Sequence, residues 1–281
     1  MRLVTFDAPH LSSRAGLHIG DRVIEIQGEG LPRTVRGILS EGERCLDQVR
    51  KLETRSGLSL DAVHLAPPIP DPQKIICVGQ NYRDHCLEQN APIPKSPIIF
   101  TKFVTSLTGP RDDVVLPRAS EQVDYEIELA FIMGKGGKHI SEERALKHVA
   151  GYMVFNDVSA RDIQFGDKQW VRGKSCDTFA PCGPALVTRD EIADPQDLKL
   201  ELKLNGQVMQ SSNTSQMIFG VAYLISFLSR TLTWTPGDIV ATGTPPGVGV
   251  FRKPPVFLKP GDKLVATVEK LGSLENTCVA E

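Results

Sequence analysis

Short runs of alternating apolar and polar residues dominate the hydrophobic pattern of this chain, and such runs predict strands rather than helices. The clearest run covers residues 198–204, where every second residue is leucine, and the pair Asn205-Gly206 after it is typical of a two-residue hairpin turn into residues 207–210. Apolar runs predict further strands at residues 3–6, 22–26, 74–79, 98–102, 123–133 and 152–155.

Three segments have a helical pattern instead. The first covers residues 40–52, and the second begins at a capping Ser141 and ends near Gly151. The third follows Ser215, and its apolar residues at helical spacing form a stripe that we assign to core packing: Met217, Ile218, Val221, Leu224, Ile225 and Leu228. Because the strands are too irregularly spaced for a TIM barrel or a Rossmann sheet, the pattern predicts a mixed α+β fold.

A proline-rich segment divides the pattern into two parts. Four prolines fall within residues 66–72, and so many prolines keep the backbone extended and unsuited to a helix or a central strand. We therefore predict a small β-rich N-terminal domain over residues 1–65, a linker over residues 66–73 and a larger domain over residues 74–281.

Composition and charge exclude several classes of partner. The chain has 281 residues, of which 41% are hydrophobic and 23% are charged, as is ordinary for a soluble globular protein. A net charge of −2 gives no excess of positive charge for binding nucleic acid or an anionic membrane. No apolar run reaches the roughly 18–20 residues of a membrane helix. We therefore expect no nucleic-acid partner and no membrane.

Cysteine usage and the first residues bear on the compartment. The six cysteines include no C-x-x-C pair, which indicates reduced thiols in a reducing compartment. Residues 1–7 are typical of a strand rather than a signal peptide, so the cytoplasm is the default expectation. A mitochondrial matrix protein whose presequence had been removed would have the same features.

Three carboxylates near predicted strands are the first sign of chemistry. Glu126 and Glu128 are two residues apart, so on a strand they share one face, roughly 7 Å apart, and repel each other unless a cation lies between them. Asp157 follows the apolar run 152–155. Three carboxylates from two elements match an Mg²⁺ or Mn²⁺ site with open positions. The alternative is a solvent-facing acidic edge, with Asp157 capping a turn and pairing with Arg161.

His85 and Glu88 form a second candidate pair. Their i, i+3 spacing places them on one face of a helical turn, where the carboxylate orients the imidazole and raises its basicity, as general-base catalysis requires. A surface ion pair is the alternative. Lys174 offers a cation for a substrate carboxylate or an oxyanion, and Arg161 and Gln164 could serve similarly.

Two glycine-containing segments lack the spacing of nucleotide-binding loops. Six residues separate Gly166 from Gly173, where a phosphate-binding P-loop has four, and residues 242–250 lack the G-x-G-x-x-G pattern. The second segment is a Gly/Thr-rich loop after a strand, and it can still offer backbone N–H groups to a carboxylate. A plain turn is the alternative for this segment.

Taken together, five segments resemble the fumarylacetoacetate hydrolase (FAH) superfamily and occur in that family's order. They are GQNYRDH (79–85), DYEIEL (124–129), NDVSARD (156–162), GKS (173–175) and TGTPPGVG (242–249). The resemblance covers about residues 74–281, and residues 247–262 look most like the subgroup named fumarylacetoacetate hydrolase domain-containing protein 2. It implies a mixed β-roll catalytic domain, preceded here by the small N-terminal domain, and a homodimer.

The same resemblance implies roles for particular residues. The ligands of Mg²⁺ or Mn²⁺ would be Glu126, Glu128 and Asp157. A dyad on a mobile lid, which moves a proton or activates water, and a lysine would form the catalytic group: His85, Glu88 and Lys174. Substrate contacts would come from Arg161, Gln164, Lys174 and Thr244. Asp124 shares the strand face of the two glutamates and is a candidate for a supporting contact.

This set of residues indicates chemistry on a small 2-oxo acid. Such an acid can chelate the cation through its keto and carboxylate oxygens, and the cation then stabilises the enolate that develops when a bond at C3 breaks. Hydrolysis of a C–C bond in an acylpyruvate or β-diketo acid, as in fumarylacetoacetate, is the first expectation. Keto–enol tautomerisation and decarboxylation of oxaloacetate are alternatives, and a non-catalytic metal-binding scaffold is an alternative of a different class.

Overall fold

The computed structural model describes all 281 residues and consists mainly of strands with a few short helices. The strands are β1 (Arg2–Ala8), β2 (Leu11–Ile19), β3 (Arg22–Glu25), β4 (Leu58–Ser59), β5 (His64–Ala66), β6 (Ile75–Gly79), β7 (Ile98–Thr101), β8 (Leu107–Thr108), β9 (Val114–Leu116), β10 (Val123–Asp124), β11 (Ile127–Met133), β12 (Val149–Asn156), β13 (Ser159–Ala160), β14 (Ala180–Thr188), β15 (Lys199–Leu204), β16 (Gln207–Asn213), β17 (Ile239–Ala241), β18 (Lys263–Val268) and β19 (Gly272–Ala280). The α-helices are α1 (Val35–Glu41), α2 (Glu43–Arg50), α3 (Arg83–Glu88), α4 (Glu142–Ala145), α5 (Arg161–Asp167), α6 (Trp170–Lys174) and α7 (Val221–Ser229). The mixed α+β class predicted from the sequence is confirmed.

Two large sheets and one short strand pair make up the fold. The first sheet has the order β4-β3-β2-β1-β14-β12-β11-β17-β6-β7, with β5 added to β1 and β8 added to β14. The second has the order β16-β15-β18-β19-β9, and β10 pairs separately with β13. At the centre of the first sheet β11 and β12 are antiparallel, whereas β17 and β6 are parallel.

The central strands of the first sheet are buried on both faces. Every residue of β11 and β12 is buried, and alternate side chains enter two different cores. Leu129 and Phe131 belong to the core that includes the leucines of β15, β18 and α7. Ala130 and Ile132 belong to the core that includes α1 and α2. A strand covered on both faces carries a continuous apolar sequence, which is why residues 127–133 barely alternate.

The N-terminal part is hydrogen-bonded into the first sheet. Leu3 of β1 pairs with Leu186 of β14, and its side chain belongs to the same core as apolar residues of β6 and β17. The proline-rich segment is held against this sheet, because Oγ1 of Thr5 donates to the carbonyl of Pro68 at 2.9 Å. The division into domains at residues 66–73 stays a prediction, and the first sheet continues across it.

Two predicted helices have different bounds in the structure. The helix predicted over residues 40–52 is two helices, α1 and α2, which meet at Gly42, because its φ of 75° lies outside the helical region. The helix predicted from Ser141 to near Gly151 is shorter: α4 is followed by a 3-10 turn over Leu146–His148, and Val149 already begins β12 between two neighbouring strands. In this second case the pairing of the central sheet overrides the local helical preference.

The helix predicted after Ser215 also begins later than expected. Met217 forms a β-bridge with Tyr82, and the N–H of Ile218 donates to a backbone carbonyl just before α3. The helix therefore starts only at Val221. These contacts attach the segment before α3 to the main body of the protein.

The hairpin predicted in the second sheet is present. It joins β15 to β16 through Asn205 and Gly206, whose φ angles of 52° and 82° are the positive values that a type I′ turn requires. All six cysteines are free thiols, as the sequence predicts. No helix of the structure is long and apolar enough to span a bilayer.

Candidate active site

Three carboxylates meet where β11 begins and β12 ends. The two strands are antiparallel and Ile127 pairs with Asn156, so the residues around these positions are neighbours. Glu126 precedes β11, Glu128 lies within it, and Asp157 follows β12. All three are buried, and their ligand oxygens lie within 4.8 Å of one another. The structure therefore brings together the three residues that the sequence predicts as metal ligands.

Backbone contacts hold these carboxylates in position. The N–H of Glu126 donates to the side-chain carbonyl of Asn156 at 3.0 Å, and the N–H of Asp157 donates to the carbonyl of Glu126 at 2.8 Å. Oε2 of Glu128 accepts from the N–H of Gly243 at 2.7 Å. The carboxylates are therefore pre-organised by the fold.

Three buried cations surround the carboxylates. Nζ of Lys174 lies 2.7 Å from Oε2 of Glu126 and 2.8 Å from Oδ2 of Asp157. Nζ of Lys102 lies 2.5 Å from Oδ1 of Asp157. Arg161 forms an ion pair with Oε1 of Glu126 at 2.6 Å. Each oxygen of Glu126 and Asp157 therefore has a cation beside it.

Lys102 is a site residue that was not predicted from the sequence. This lysine ends the apolar run 98–102, its side chain is completely buried, and it also donates to the carbonyl of Val158 at 3.1 Å. A lysine at the end of an apolar run was the one signal in the sequence. It does not reveal the partner, because Lys102 reaches Asp157 only through the pairing of β6 with β7 in the folded sheet.

The surrounding charges distinguish the two glutamates. Burial by itself raises the pKa of Glu126, but the positive charges of Lys174 and Arg161 outweigh burial and lower this pKa to about 2. Burial, together with the negative charges of Asp157 and Glu126, raises the pKa of Glu128 well above its usual range. Glu128 is therefore the carboxylate whose negative charge lacks a balancing cation.

The donor set fits Mg²⁺ or Mn²⁺. These hard cations prefer carboxylate oxygens and leave several coordination positions for water and substrate. At Mg²⁺–oxygen bonds of about 2.1 Å, ligand atoms on opposite sides of the ion lie about 4.2 Å apart. Oxygens within 4.8 Å of one another therefore need only small side-chain rotations to bind one ion.

The predicted dyad lies on α3. Nδ1 of His85 donates to Oε2 of Glu88 at 2.9 Å, and Oε1 of Glu88 accepts from the N–H of Gly247 at 2.8 Å. The His85 ring lies against Phe251, with ring centroids 6.0 Å apart. The side chain of Glu88 is 22% exposed and that of His85 is 6% exposed, so the carboxylate is on the solvent side of the pair.

One small cavity joins the dyad to the carboxylates. Its volume is about 100 Å³, and the residues that line it include His85, Glu126, Glu128, Gln164 and Lys174. This volume is well below the roughly 300–1,000 Å³ of pockets that hold drug-sized ligands. A larger cavity of about 870 Å³ lies beside α1, α2 and β12, and none of the site residues lines it. The small cavity, which is lined by the candidate site residues, suits a small ligand.

Gln164 and Thr244, two predicted substrate contacts, also line this cavity. Oε1 of Gln164 accepts from Arg161 at 3.1 Å. The hydroxyl of Thr244 donates to the carbonyl of Ile127 at 2.9 Å and accepts from the amide of Gln210 at 2.8 Å. These bonds hold both side chains in fixed positions on the cavity wall.

Asp124 anchors Arg161 and a neighbouring loop. Its carboxylate accepts from Nε of Arg161 at 2.9 Å and from the N–H groups of Gly249 at 2.7 Å and Val250 at 3.0 Å. Asp124 is completely buried, and it fixes the guanidinium that contacts Glu126. The supporting contact considered for Asp124 is therefore present in the structure.

The Gly/Thr-rich loop at residues 242–250 directs several N–H groups to carboxylates of the protein itself. Gly243, Gly247 and Gly249 donate respectively to Glu128, Glu88 and Asp124. The loop therefore offers backbone N–H groups to carboxylates, as the sequence suggested, and these carboxylates belong to the protein itself. The loop connects the candidate metal ligands, the dyad and Asp124.

Solved structures with the same fold include enzymes. A putative HpcE protein from Mycobacterium smegmatis superposes with a TM-score of 0.92 at 38% identity, covering 100% of this chain and 99% of the other. Maleylpyruvate hydrolase from Sphingobium sp. SYK-6, in complex with manganese(II) ion and pyruvate, superposes with a TM-score of 0.84 at 29% identity, covering 100% of this chain and 99% of the other. The fold is therefore that of a class of enzymes in which one member is seen with a divalent metal.

Sequence comparison defines the family. The model of the C-terminal part of fumarylacetoacetate (FAA) hydrolase matches residues 74–279. Over 291 aligned residues the chain is 51% identical to the mitochondrial oxaloacetate tautomerase FAHD2A of Bos taurus, covering 99% of this chain and 92% of the relative. The chain belongs to the fumarylacetoacetate hydrolase family of enzymes, as the resemblance implied.

Proposed function

We propose that the protein is a divalent-metal-dependent enzyme that interconverts the keto and enol forms of oxaloacetate. The proposal is carried by the single small cavity that His85, Glu126 and Glu128 line together. This shared cavity supports a role for His85 in proton transfer next to carboxylates suited to binding a cation. Relatives named oxaloacetate tautomerase, at 50–51% identity over 99% of the chain, favour this reaction over the hydrolysis that the sequence analysis placed first.

The proposed reaction moves one proton and breaks no bond between heavy atoms. In tautomerisation a proton passes between C3 and the oxygen on C2, so no water is consumed. His85 would carry this proton on Nε2, because Nδ1 is already bonded to Glu88. Glu88 orients the ring and stabilises its charge when Nε2 is protonated.

Lys174 would stabilise negative charge beside the reacting group. Burial by itself lowers the pKa of Lys174, but the negative charges of Asp157 and Glu126 raise it, so the ammonium stays charged. When bound by Glu126, Glu128 and Asp157, a divalent cation supplies Lewis-acid polarisation of the keto oxygen. Gln164 and Thr244, on the wall of the cavity, would position the rest of the substrate.

Hydrolysis of an acylpyruvate is the second candidate. The observation in its favour is the shared fold with maleylpyruvate hydrolase, which was solved with manganese(II) and pyruvate. In that reaction the same dyad would activate a water molecule, which attacks the acyl carbon while the C–C bond breaks. The chain belongs to a family of enzymes, and this membership favours a catalytic role over the non-catalytic scaffold.

One parallel assay separates these reactions. Purified protein is incubated with Mg²⁺ and either oxaloacetate or acetylpyruvate, while enol absorbance and pyruvate release are followed separately. Loss of enol without pyruvate indicates a tautomerase, pyruvate from acetylpyruvate indicates a hydrolase, and pyruvate with CO₂ from oxaloacetate indicates a decarboxylase. Metal without protein gives the background rate.

Two variants test the assigned roles. Glu126→Ala should abolish turnover, and unchanged turnover with both substrates would refute the metal-dependent reaction. His85→Ala should lose turnover while keeping metal affinity, measured by calorimetry. Lost metal affinity in His85→Ala would contradict the separate roles proposed for the dyad and the carboxylates.

The compartment and the oligomeric state belong to the same proposal. Relatives of Bos taurus and Homo sapiens carry the word mitochondrial in their names, which favours that location over the cytoplasm expected from the sequence. The homodimer implied by the family resemblance stays a prediction. Sedimentation equilibrium of the purified chain tests it directly.

A further inference from the structure

The α3 side of the small cavity contains two glutamine amides that the proposed reaction does not use. Nε2 of Gln89 lies 2.6 Å from Nε2 of His85, and Oε1 of Gln89 accepts from Nε2 of Gln80 at 3.2 Å. Both glutamines line the cavity together with His85. The ring nitrogen that would transfer the proton is therefore already in contact with a group of the protein.

The hydrogen-bond chain fixes the direction of each bond when His85 is neutral. The carboxylate of Glu88 can only accept, so Nδ1 of His85 carries the proton and Nε2 has the free lone pair. Nε2 must then accept from the amide nitrogen of Gln89, and the amide oxygen of Gln89 accepts from Gln80. The order Gln80, Gln89, His85, Glu88 satisfies every donor and acceptor at these contacts.

The backbone at Gln80 is held in an unfavourable conformation. Its φ of 51° lies in the left-handed region, which costs a non-glycine residue about 1 kcal/mol or more. Such a conformation persists only when its surroundings enforce it. At the other end of α3 the N–H of Gln89 donates to the carbonyl of His85 at 3.2 Å, so Gln89 is bonded to His85 through its backbone as well as its side chain.

We propose that Gln89 is a positioning residue that caps Nε2 of His85 in the resting enzyme and that the substrate or a water molecule must displace. The cap keeps the lone pair on Nε2 and prevents any other group in the cavity from bonding to it. The reaction that follows displacement rests on the proposed function, but the cap itself does not. The apparent affinity of a ligand that has to displace the cap equals its intrinsic affinity multiplied by the fraction of protein in which Nε2 is free.

Gln89→Met tests the cap, because methionine is unbranched and of similar length but has no amide. The first readout is the rate at which diethyl pyrocarbonate modifies His85, which is one of six histidines, followed by peptide mass spectrometry. The reagent reacts with a free imidazole lone pair. Since the net worth of one hydrogen bond is about 1 kcal/mol, the rate should rise about twofold to tenfold. Gln207→Met, at an exposed position of β16, is the matched control.

The second readout is steady-state kinetics. Loss of the cap should lower KM and raise kcat/KM by about the same factor, because the substrate no longer displaces the amide. A merely structural role for Gln89 would lower kcat/KM and leave the modification rate unchanged. If Gln89→Met does not fold, the same two measurements are made on Gln80→Asn. Asparagine tolerates a positive φ, but its shorter side chain withdraws the donor from Gln89. We expect smaller changes in the same directions.

An unchanged modification rate in both glutamine variants overturns the cap. A faster modification rate with a lower kcat/KM overturns displacement by the substrate and makes Gln89 a substrate contact. Wild-type protein that turns over no 2-oxo acid refutes the proposed function alone, and the modification rate then still decides whether Gln89 caps His85.

Discussion

Nζ of Lys102 lies 2.5 Å from Oδ1 of Asp157, and both side chains are completely buried. The opposite oxygen of Asp157 contacts Lys174, so this carboxylate is held between two ammonium groups. Charges this far from water are stable only when they are paired and hydrogen-bonded. The cations are therefore as much a part of the site as the carboxylates are.

Lys102→Met should destabilise the protein substantially. Methionine keeps the length of the side chain and removes the charge, which leaves Asp157 with one cation instead of two. Breaking a buried ion pair costs about 3–5 kcal/mol, and because Lys174 remains we expect about 2–4 kcal/mol, measured by urea unfolding. Lys203→Met is the control, because Lys203 pairs with Glu201 on the surface and such pairs contribute about 0–1 kcal/mol. Equal losses in the two variants would contradict the prediction.

In metal-free protein the two glutamates should respond differently to amide substitution. Glu126 balances the buried charges of Arg161 and Lys174, so Glu126→Gln should cost about 3–5 kcal/mol of unfolding free energy. Glu128→Gln should cost little or increase stability, because burial and neighbouring negative charges already raise the pKa of Glu128 and disfavour its charged form. Urea unfolding in the presence of EDTA measures both effects.

The same pair of variants should respond alike to added metal, although their stabilities still differ. Excess Mg²⁺ should stabilise the wild type, because a cation held by the three carboxylates binds only the folded chain. Both Glu126→Gln and Glu128→Gln should lose most of this increase, since each removes a ligand. A full increase in either variant would show that its carboxylate is not a ligand.

Gly249→Ala should disturb the loop that Asp124 holds. A Cβ at this position would overlap the carbonyl oxygen of Val256 and lie 2.7 Å from Oδ1 of Asp124. We expect a loss of about 2 kcal/mol or more in stability, with lower turnover because Arg161 loses its support. Gly166→Ala is the control: a Cβ there meets nothing within 4 Å, and alanine within α5 should stabilise by about 0.5–1 kcal/mol. Similar losses in both variants would argue against a specific role of the loop.

His64 should contribute a pH-dependent stabilisation away from the cavity. Its ring contacts Asp112 at 2.6 Å and Asp7 at 3.3 Å, and the hydrogen bond to Asp112 is the main cause of its raised pKa. Because the pKa is higher in the folded state, the stabilisation is complete below the unfolded pKa of about 6.5 and is lost as the pH rises through the folded pKa. The ring is 54% exposed, so solvent screening limits the effect to about 0.5–1 kcal/mol.

The measurement compares the unfolding free energies of wild type and His64→Gln at pH 5.5 and pH 9. The difference should be larger at pH 5.5 and should shrink in the Asp112→Asn background, where the main partner has lost its charge. A difference that grows with pH would have the wrong sign for a raised pKa.

The carboxylates could be predicted from the sequence because their positions follow from local rules. Glu126 and Glu128 are two residues apart near a strand, and this spacing implies that their side chains share one face. Asp157 is a polar residue after an apolar run, which implies the end of a strand. The His85–Glu88 contact likewise depends only on one helical turn. The order of these segments along the chain, which is that of the family, then indicated that they form one site.

The remaining site residues depend on contacts between distant parts of the chain. Lys102 reaches Asp157 because β7 pairs with β6, and no local pattern encodes that pairing. Gln89 is the exception, because it lies only four residues from His85; the sequence shows it merely as another polar residue just after a short helix. The end of α4 has the same cause as the Lys102 contact, since the strand pairing of Val149 overrides a helical pattern that would otherwise continue.

The pairing of β1 with β14 sets a limit on how the chain can be shortened. The family match begins at residue 74, yet the strand partner of Leu186 is Leu3. A fragment without the first strands would leave unpaired the N–H and C=O groups of β14 that face β1. An open edge of this kind invites strand addition from another molecule. The N-terminal residues thus protect β14 against aggregation. This strand lies directly beside β12, and Asp157 follows the end of β12.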